Sequence, residues 1–451
     1  MTSSTCLSNC VFQYDDVHET TPHSHVSNPA AVEAEKTKTA MKDQIQTTKS
    51  RPAQVVATAM LAAATETRLE LGKTENIKRA LRRQKRAALP EEPATLNDLH
   101  VTGEWATTGG QKSEPFLIHD SGSDRTNRIL VFASEQQLRH LAVADTWFMD
   151  GTFSVAPALF TQVYVIRAPL GQSAVTCVYA FMTCKSQQLY SELLEAVTLQ
   201  TQKLGFTSDP TRVICDFEQS VISAVATVLP RAQVQGCFYH LCQSTWRKVQ
   251  QLGLSTVYKE NEDVQLFCGM LDGLAFLPVT DVAAGMKYVQ ESIPDVPPTD
   301  KDKLLDLINY FDITYVSGSV QKIRRPGADL TMRLRRNPPL YPVERWNVHD
   351  ATLTDGIRTN NQCESWNNGF RTIVGHSHPS VWTAIEGFQM DHAAASTALT
   401  LFARGQAPDK RQRRNTVKLH ERLYNLCCRK RDGSLTIAEM LRGVGHTIRL
   451  M

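Results

Sequence analysis

Between residues 127 and 253 the apolar positions follow short, regular rhythms. NRILVFAS (127–134) is an apolar run bounded by polar residues and reads as a strand, with a short helix over Glu135 to Ala144 after it. TWFMDGTFSV (146–155) alternates and is rich in aromatic and β-favouring residues; TQVYVIR (161–167) and AVTCVYAFMT (174–183) are two further strand runs, with Pro169 and Gly171 as the turn between them. Leu189 to Leu204 is amphipathic at helix spacing and stops at Gly205. Val213-Ile214-Cys215 is a buried-strand run, and Val221, Ile222, Val225, Val228 and Leu229 then recur at helix spacing. Ala232 to Tyr239 predicts another strand, leading into a helix that begins at His240.

The predicted order is three strands, a helix, a strand, a helix, a strand and a helix. That order places the chain in the α/β (α+β) class and matches a ribonuclease-H-like mixed sheet flanked by helices. In that fold the first and fourth strands lie side by side, so Asp150 on the first and Asp216 at the end of the fourth are expected to face each other. Strand ends of open α/β sheets are where such chemistry is placed.

Outside this core the rhythm changes. Residues 1–50 are polar and predict no element. Residues 51–95 read as a helical, basic linker in which Val55, Val56, Ala59, Met60 and Ala63 form one stripe, ended by Pro90 and Pro93. The core domain begins near Leu96 and its first part runs to 253. Residues 254–346 predict helices and loops without a sheet signal, an all-helical insertion before the last catalytic helix, with a basic flank (Lys322, Arg324, Arg325, Arg333, Arg335, Arg336). Residues 347–400 return to the core through RTNNQCESWNNGF (358–370) and an amphipathic helix after Ser380, and 401–451 form a basic tail.

Composition changes this picture little. With 42% apolar residues in 451, the chain has ample material for a large core and two or three domains. A net charge of +3 does not announce a nucleic-acid binder, so clustering has to make that case. It does so at Asn76–Ala88, where Lys78, Arg79, Arg82, Arg83, Lys85 and Arg86 crowd little more than two helical turns. Such a helix neutralises phosphates, though a solvated face or a nuclear-import signal has the same composition. Most of the 11 cysteines sit in apolar runs, as reduced thiols of a nuclear or cytosolic protein do. No apolar run approaches the roughly 18 residues of a membrane span, so a soluble intracellular protein is expected.

Three acids carry the candidate chemistry. Asp150 is the single acid of an apolar strand, Asp216 ends another, and Glu364 lies among Asn360, Asn361, Asn367 and Asn368, residues suited to capping a helix that carries Glu364 near its start. Taken singly, the aspartates are equally well explained as turn acids and Glu364 as a helix N-terminal charge. At the N-terminus, Cys10 (or Cys6) with His23 and His25 has the make-up of a zinc site, or is an incidental part of a tail.

Four stretches in order, DGTF (150–153), CDFEQSVISAV (215–225), GCFYHLCQSTWRK (236–248) and RTNNQCESWNNGF (358–370), resemble the transposase domain of Mutator-like elements, in the animal branch that travels with FLYWCH zinc fingers. The resemblance spans roughly Ile77 to His392. It implies a catalytic DDE triad of Asp150, Asp216 and Glu364, spaced 66 and 148 residues apart, holding two Mg²⁺ or Mn²⁺ ions for strand cleavage and transfer. It also implies a Cys-x-x-His signature, here Cys237 and His240, which either orients a DNA end or packs in support of Asp216. The partners implied are DNA (terminal inverted repeats and target) and a second copy in a homodimer, with no membrane and no small-molecule substrate, in the nucleus. Only the end of a FLYWCH pattern is present, with Cys10, His23 and His25 as a zinc remnant. The rival reading is a domesticated, non-cleaving DNA-binding regulator on the same scaffold.

Overall fold

The computed structural model describes residues 10–13, 16–19, 28–48, 50–323, 333–354, 357–406 and 414–448. The chain divides into two compact units, Met1–Glu92 and Pro93–Met451.

In the first unit, β1 (Cys10–Gln13) and β2 (Asp16–Glu19) pair antiparallel. Four helices follow: α1 (Pro29–Thr47), α2 (Pro52–Ala62), α3 (Thr65–Leu71) and α4 (Thr74–Ala87). The first lies in the stretch where the sequence predicts no element. Asn28 caps it, accepting from the Ala31 N–H at 3.1 Å. Ala34, Met41, Ile45, Val55, Val56, Leu71, Ile77 and Leu81 close a small core of their own. Ile77 and Leu81 stand one turn apart on α4, which leaves Arg79, Arg82, Arg83 and Arg86 exposed on its other side. The expected helical stretch is therefore three helices, broken after Ala62 and again at Gly72–Lys73.

The second unit is built on a sheet of seven strands, whose elements run as follows. β3 (Leu117–Asp120), β4 (Ile129–Phe132) and α5 (Glu135–Ala142) lead into β5 (Thr146–Thr152), β6 (Gln162–Leu170) and β7 (Ser173–Met182). Then come α6 (Gln187–Lys203), β8 (Arg212–Cys215), α7 (Gln219–Val228), β9 (Gln233–Gly236) and α8 (Phe238–Gln251). The strand order is β3-β4-β7-β6-β5-β8-β9. β5, β8 and β9 are parallel, and every other pair is antiparallel. Pro169 is the last but one residue of β6, not part of the turn.

A helical layer continues with α9 (Ser255–Glu260), α10 (Glu262–Gly273), α11 (Val282–Glu291) and α12 (Pro298–Phe311). The stretch expected to be all-helical also holds a two-stranded ribbon, β10 (Ser319–Ile323) with β11 (Arg333–Asn337). Among its described side chains the apolar ones, Val320 and Leu334, are exposed, so no core-facing alternation marks it in the sequence. After α13 (Val343–Trp346) and α14 (His349–Leu353), the chain returns to the sheet as α15 (Asn361–Val374) and α16 (Val381–Ala403). α17 (Arg414–Arg431) and α18 (Ile437–Ile448) then join the helical layer. There α10 and α18 cross backbone to backbone, since a Cβ on Gly269 would lie 2.7 Å from the Gly445 carbonyl oxygen.

The sheet is covered on both faces, as strands buried on both sides require. On one, Leu189, Tyr190 and Leu193 of α6 pack with Ile129, Val131, Val178, Ala180 and Met182. On the other, Phe388 of α16 sits 4.9 Å from both Tyr179 and Phe181 of β7 and 5.4 Å from Phe370 of α15. Alternate residues of β7 thus serve opposite layers.

Candidate acid cleft at the ends of β5 and β8

The first two acids meet through strand register. In the parallel pair, Trp147 stands opposite Val213 and Phe148 opposite Ile214. Two residues further on, that register brings Asp150 level with Asp216, which directly follows the last residue of β8. Phe217 then turns into the aromatic cluster of Tyr315 and Tyr341, with ring centroids 5.8 and 5.0 Å away. Its ring lies where a Cβ on Gly236 would be, so only glycine fits there. With Phe217 anchored on that side, Asp216 and Glu218 both line the cleft beside Asp150.

Glu364 arrives from α15, in its first turn. Asn360 stands at the start of that helix, but its side chain makes no cap. It is fully buried and donates instead to the Met149 carbonyl at 3.0 Å, while its N–H donates to the Cys237 sulfur at 3.0 Å. Capping is thus the wrong reading of Asn360: the carbonyl just before Asp150 is a buried acceptor that competes for the amide and wins. Phe238 N–H donates to the Arg358 carbonyl at 3.1 Å. The buried Arg167 of β6 donates to the Gln362 carbonyl at 2.6 Å. One turn along α15, Asn367 donates to Asp150 Oδ2 at 2.9 Å.

His240 stands between the second and third acids. Its Nδ1 lies 2.6 Å from Asp216 Oδ1 and its Nε2 3.8 Å from Glu364 Oε1. The closer contact is an ion pair set off-line for a hydrogen bond, since both atoms lack an aligned partner. Burial opposes the imidazolium, but Asp216 and the Cys237 sulfur outweigh it and push the His240 pKa up to about 11. Asp150, 6% exposed, is pushed up to about 7 by burial and by the charge of Asp216, against the pull of His240, the Gly151 N–H and Asn367. Glu364 is also raised, by burial ahead of the opposing charge of His240.

The structure thus brings Asp150, Asp216, Glu364, Cys237 and His240 into one neighbourhood. The sequence reading named Asn367 only among the capping asparagines; its contact with Asp150 follows from its place three residues after Glu364 on the same helix face. The sequence reading missed Glu218, two residues beyond Asp216, and Arg167 and Lys185, which no local pattern marks. Lys185 pairs with Glu218 at 2.8 Å.

Oxygen-seeking divalent ions suit the donor set. The buried oxygens Asn367 Oδ1 and Gln162 Oε1 have no hydrogen-bond donor, and Asp216 Oδ1 and Glu364 Oε1 face only the His240 ring, oxygens of the kind a hard cation takes. Among the described residues no three His, Cys, Asp or Glu side chains stand in metal-holding geometry, and His240 lies between Asp216 and Glu364.

The other sequence candidates lie elsewhere. Lys78, Arg79, Arg82, Arg83, Lys85 and Arg86 are on α4 of the first unit, with Lys78 paired to Glu75 at 2.8 Å. Cys10 is in β1, while Cys6, His23, His25, Arg324 and Arg325 fall outside the described residues. Among the described cysteines none is in a disulfide, and Cys177, Cys215, Cys237, Cys268, Cys363 and Cys427 are buried. No helix among the described residues is long and apolar enough to cross a membrane.

Residues 146–244 match the family model of the MULE transposase domain. That span runs from the start of β5 into α8, so it holds Asp150, Asp216, Cys237 and His240, and stops short of Glu364. No curated protein matches the chain.

Proposed function

We propose that the chain is a Mutator-like DDE transposase that cleaves DNA strands and joins them to a target, with Asp150, Asp216 and Glu364 as its acids on a ribonuclease-H-like sheet. The observation that carries this reading is the parallel β5–β8 register, which sets two acids level within the span that matches the MULE transposase domain. The strand order β7-β6-β5-β8-β9, three antiparallel strands followed by two parallel ones, supports the sheet type.

Asp150, Asp216 and Glu364 are the residues to hold Mg²⁺ or Mn²⁺. When bound, such ions supply charge neutralisation for in-line attack by water or a 3′-hydroxyl on a phosphodiester. The chain's own part is positioning. Asn367 fixes the Asp150 carboxylate, and Asn360 and Arg167 hold the start of α15. Cys237, fully buried, accepts from Asn360 and so ties the third acid to the second. DNA ends and target as partners, a homodimer, a nuclear location and a FLYWCH-type zinc remnant at Cys10, His23 and His25 belong to the same proposal, as do DNA contacts from α4 and from Arg324 and Arg325.

One observation favours a second reading, a non-cleaving DNA-binding regulator. His240 sets a positive charge between Asp216 and Glu364 from within the chain, which offsets part of their mutual repulsion without an external cation. Nicking of supercoiled plasmid in Mg²⁺ and in Mn²⁺ separates the two. Wild type should nick, and Asp216→Asn and Glu364→Gln should each lose at least about 1,000-fold, the loss expected where an interaction serves only the transition state. Wild-type protein that binds plasmid but nicks it in neither metal sinks the enzyme.

A further inference from the structure

The loop after β5 presents an aromatic ring to solvent at the mouth of the acid cleft. Phe153, three residues beyond Asp150, is 47% exposed and lines the same cavity as Asp150, Asp216 and Glu218. A single half-exposed ring is ordinary on a protein surface; what marks Phe153 is its place at the mouth of a cleft lined by carboxylates.

The backbone that carries it is pinned. The Ala156 N–H donates to the Phe153 carbonyl at 3.1 Å, and beyond Ser154 the chain is buried at Val155 and Ala156. His378 holds the loop from outside, donating its N–H to the Ser154 carbonyl at 2.9 Å, with its ring Nδ1 3.2 Å from the Ala156 carbonyl. His378 does so at φ +47°, the single positive-φ residue other than glycine among the described residues. Strain of that kind persists only where the surroundings enforce it. Above the ring stands a cation: Lys185 Nζ is 4.6 Å from the Phe153 centroid and 2.8 Å from Glu218. It is 39% exposed, open to a further anionic partner.

We propose that Phe153 is a stacking platform for a nucleobase next to the scissile phosphate, and that Lys185 contacts a phosphate of the same strand. This rests on the reading of the acids as a DNA-processing site. A flat ring with a cation over one face leaves the other face for a base and the cation for a phosphate, which fits a nucleotide, because every base offers a π-face and every nucleotide a phosphate. The surrounding acids repel the DNA backbone, and Lys185 is the cation that offsets them at this mouth. A peptide has no comparable need for a rigid, exposed aromatic face among carboxylates.

The test uses the full chain in Ca²⁺ with a DNA duplex bearing a 3′ overhang, whose nucleotides are replaced one at a time by 2-aminopurine or by an abasic site. At one position wild type should quench 2-aminopurine and Phe153→Ala should not. Phe153→Ala should weaken binding about 5- to 100-fold, the range of one base–aromatic stack. An abasic nucleotide at that position should cost wild type the same factor and Phe153→Ala nothing further, and Phe153→Trp should restore both signals. Lys185→Met should lower the salt dependence of binding by about 0.7, one single-strand phosphate contact. If abasic substitution costs wild type and Phe153→Ala equally at every position while wild type still nicks plasmid, the platform is wrong and the acid site stands. A wild-type chain that neither binds nor nicks DNA overturns both.

Discussion

Asp150, buried in β5, and Asp272, part-buried in α10, are carboxylates held above the usual range, at about 7 and about 6. Their surroundings differ. Asp272 is raised by burial alone, and its opposing contacts are neutral donors, the Thr245 hydroxyl at 2.6 Å and the Cys242 thiol. Asp150 carries the same burden plus the negative charge of Asp216, and the cation that answers it is His240. A lone buried acid is a packing solution in which α8 and α10 are tied by a hydrogen bond. Acids gathered against their own repulsion, with a charged histidine between them, are an arrangement that packing does not require.

The largest effect that would break this comparison is on chemistry. Asp150→Asn should abolish plasmid nicking, by at least about 1,000-fold, and leave the protein folded. Because its folded pKa lies above the unfolded value, Asp150 stabilises most at low pH and loses that contribution as pH rises through about 7. The Asn variant should therefore be more resistant to urea than wild type at pH 8, by about 2–4 kcal/mol. Equal activity in the two proteins places Asp150 with Asp272 as a structural acid.

Asp272→Asn should leave nicking unchanged and alter only stability. The sign is the same: wild type binds the extra proton when folded, so stability falls as pH rises from about 4 to about 6. The difference between wild type and Asp272→Asn in urea titrations should change by about 3 kcal/mol at most across that window. A flat difference means that Asp272 is not held neutral by burial.

Smaller effects probe the tie between the acids. Asn360→Ala strands the Met149 carbonyl and loosens α15, and should cost about 1–3 kcal/mol together with a fall in nicking. The stability loss without an activity loss would separate α15 docking from the cleft. Cys237→Ala should cost about 1 kcal/mol through the Asn360 N–H, with Cys237→Ser recovering part by keeping an acceptor. Equal denaturation midpoints for all three proteins would show that the sulfur contact carries no weight.

The central strands of the sheet were legible because β5 to β8 are short apolar runs with sharp ends, and the acids fall where those runs stop; the edge strand β3 (Leu117–Asp120), only partly buried, was not predicted. Other elements gave weaker signals. α1 buries only Ala34, Met41 and Ile45 in its 19 residues, too sparse a stripe to stand out from a polar tail. The β10–β11 ribbon has no buried face at all among its described side chains, so the alternation that reveals a strand is absent. Asn360 misled because N-caps are the commonest use of asparagine before a helix, whereas the deciding partner, Met149, is 211 residues away. His240 was visible as part of a motif, but its place between two acids depends on how α8 leaves β9, which no local pattern encodes.

The way α15 is fastened also has a kinetic side. β5, β6 and β7 form by local hairpin contacts, and β8 joins by one crossover, so the first two acids come together early and at low loop-closure cost. The third must wait for the helical layer and then dock through Asn360, Arg167 and Cys237 over contacts as distant as 211 residues. Refolding should therefore protect the β5 and β6 amides before those of α15, as pulsed hydrogen exchange can record, and the cleft would be the last part of the sheet domain to be completed. A chain emerging in synthesis would carry the first two acids without the third, and gain it only when this one helix closes.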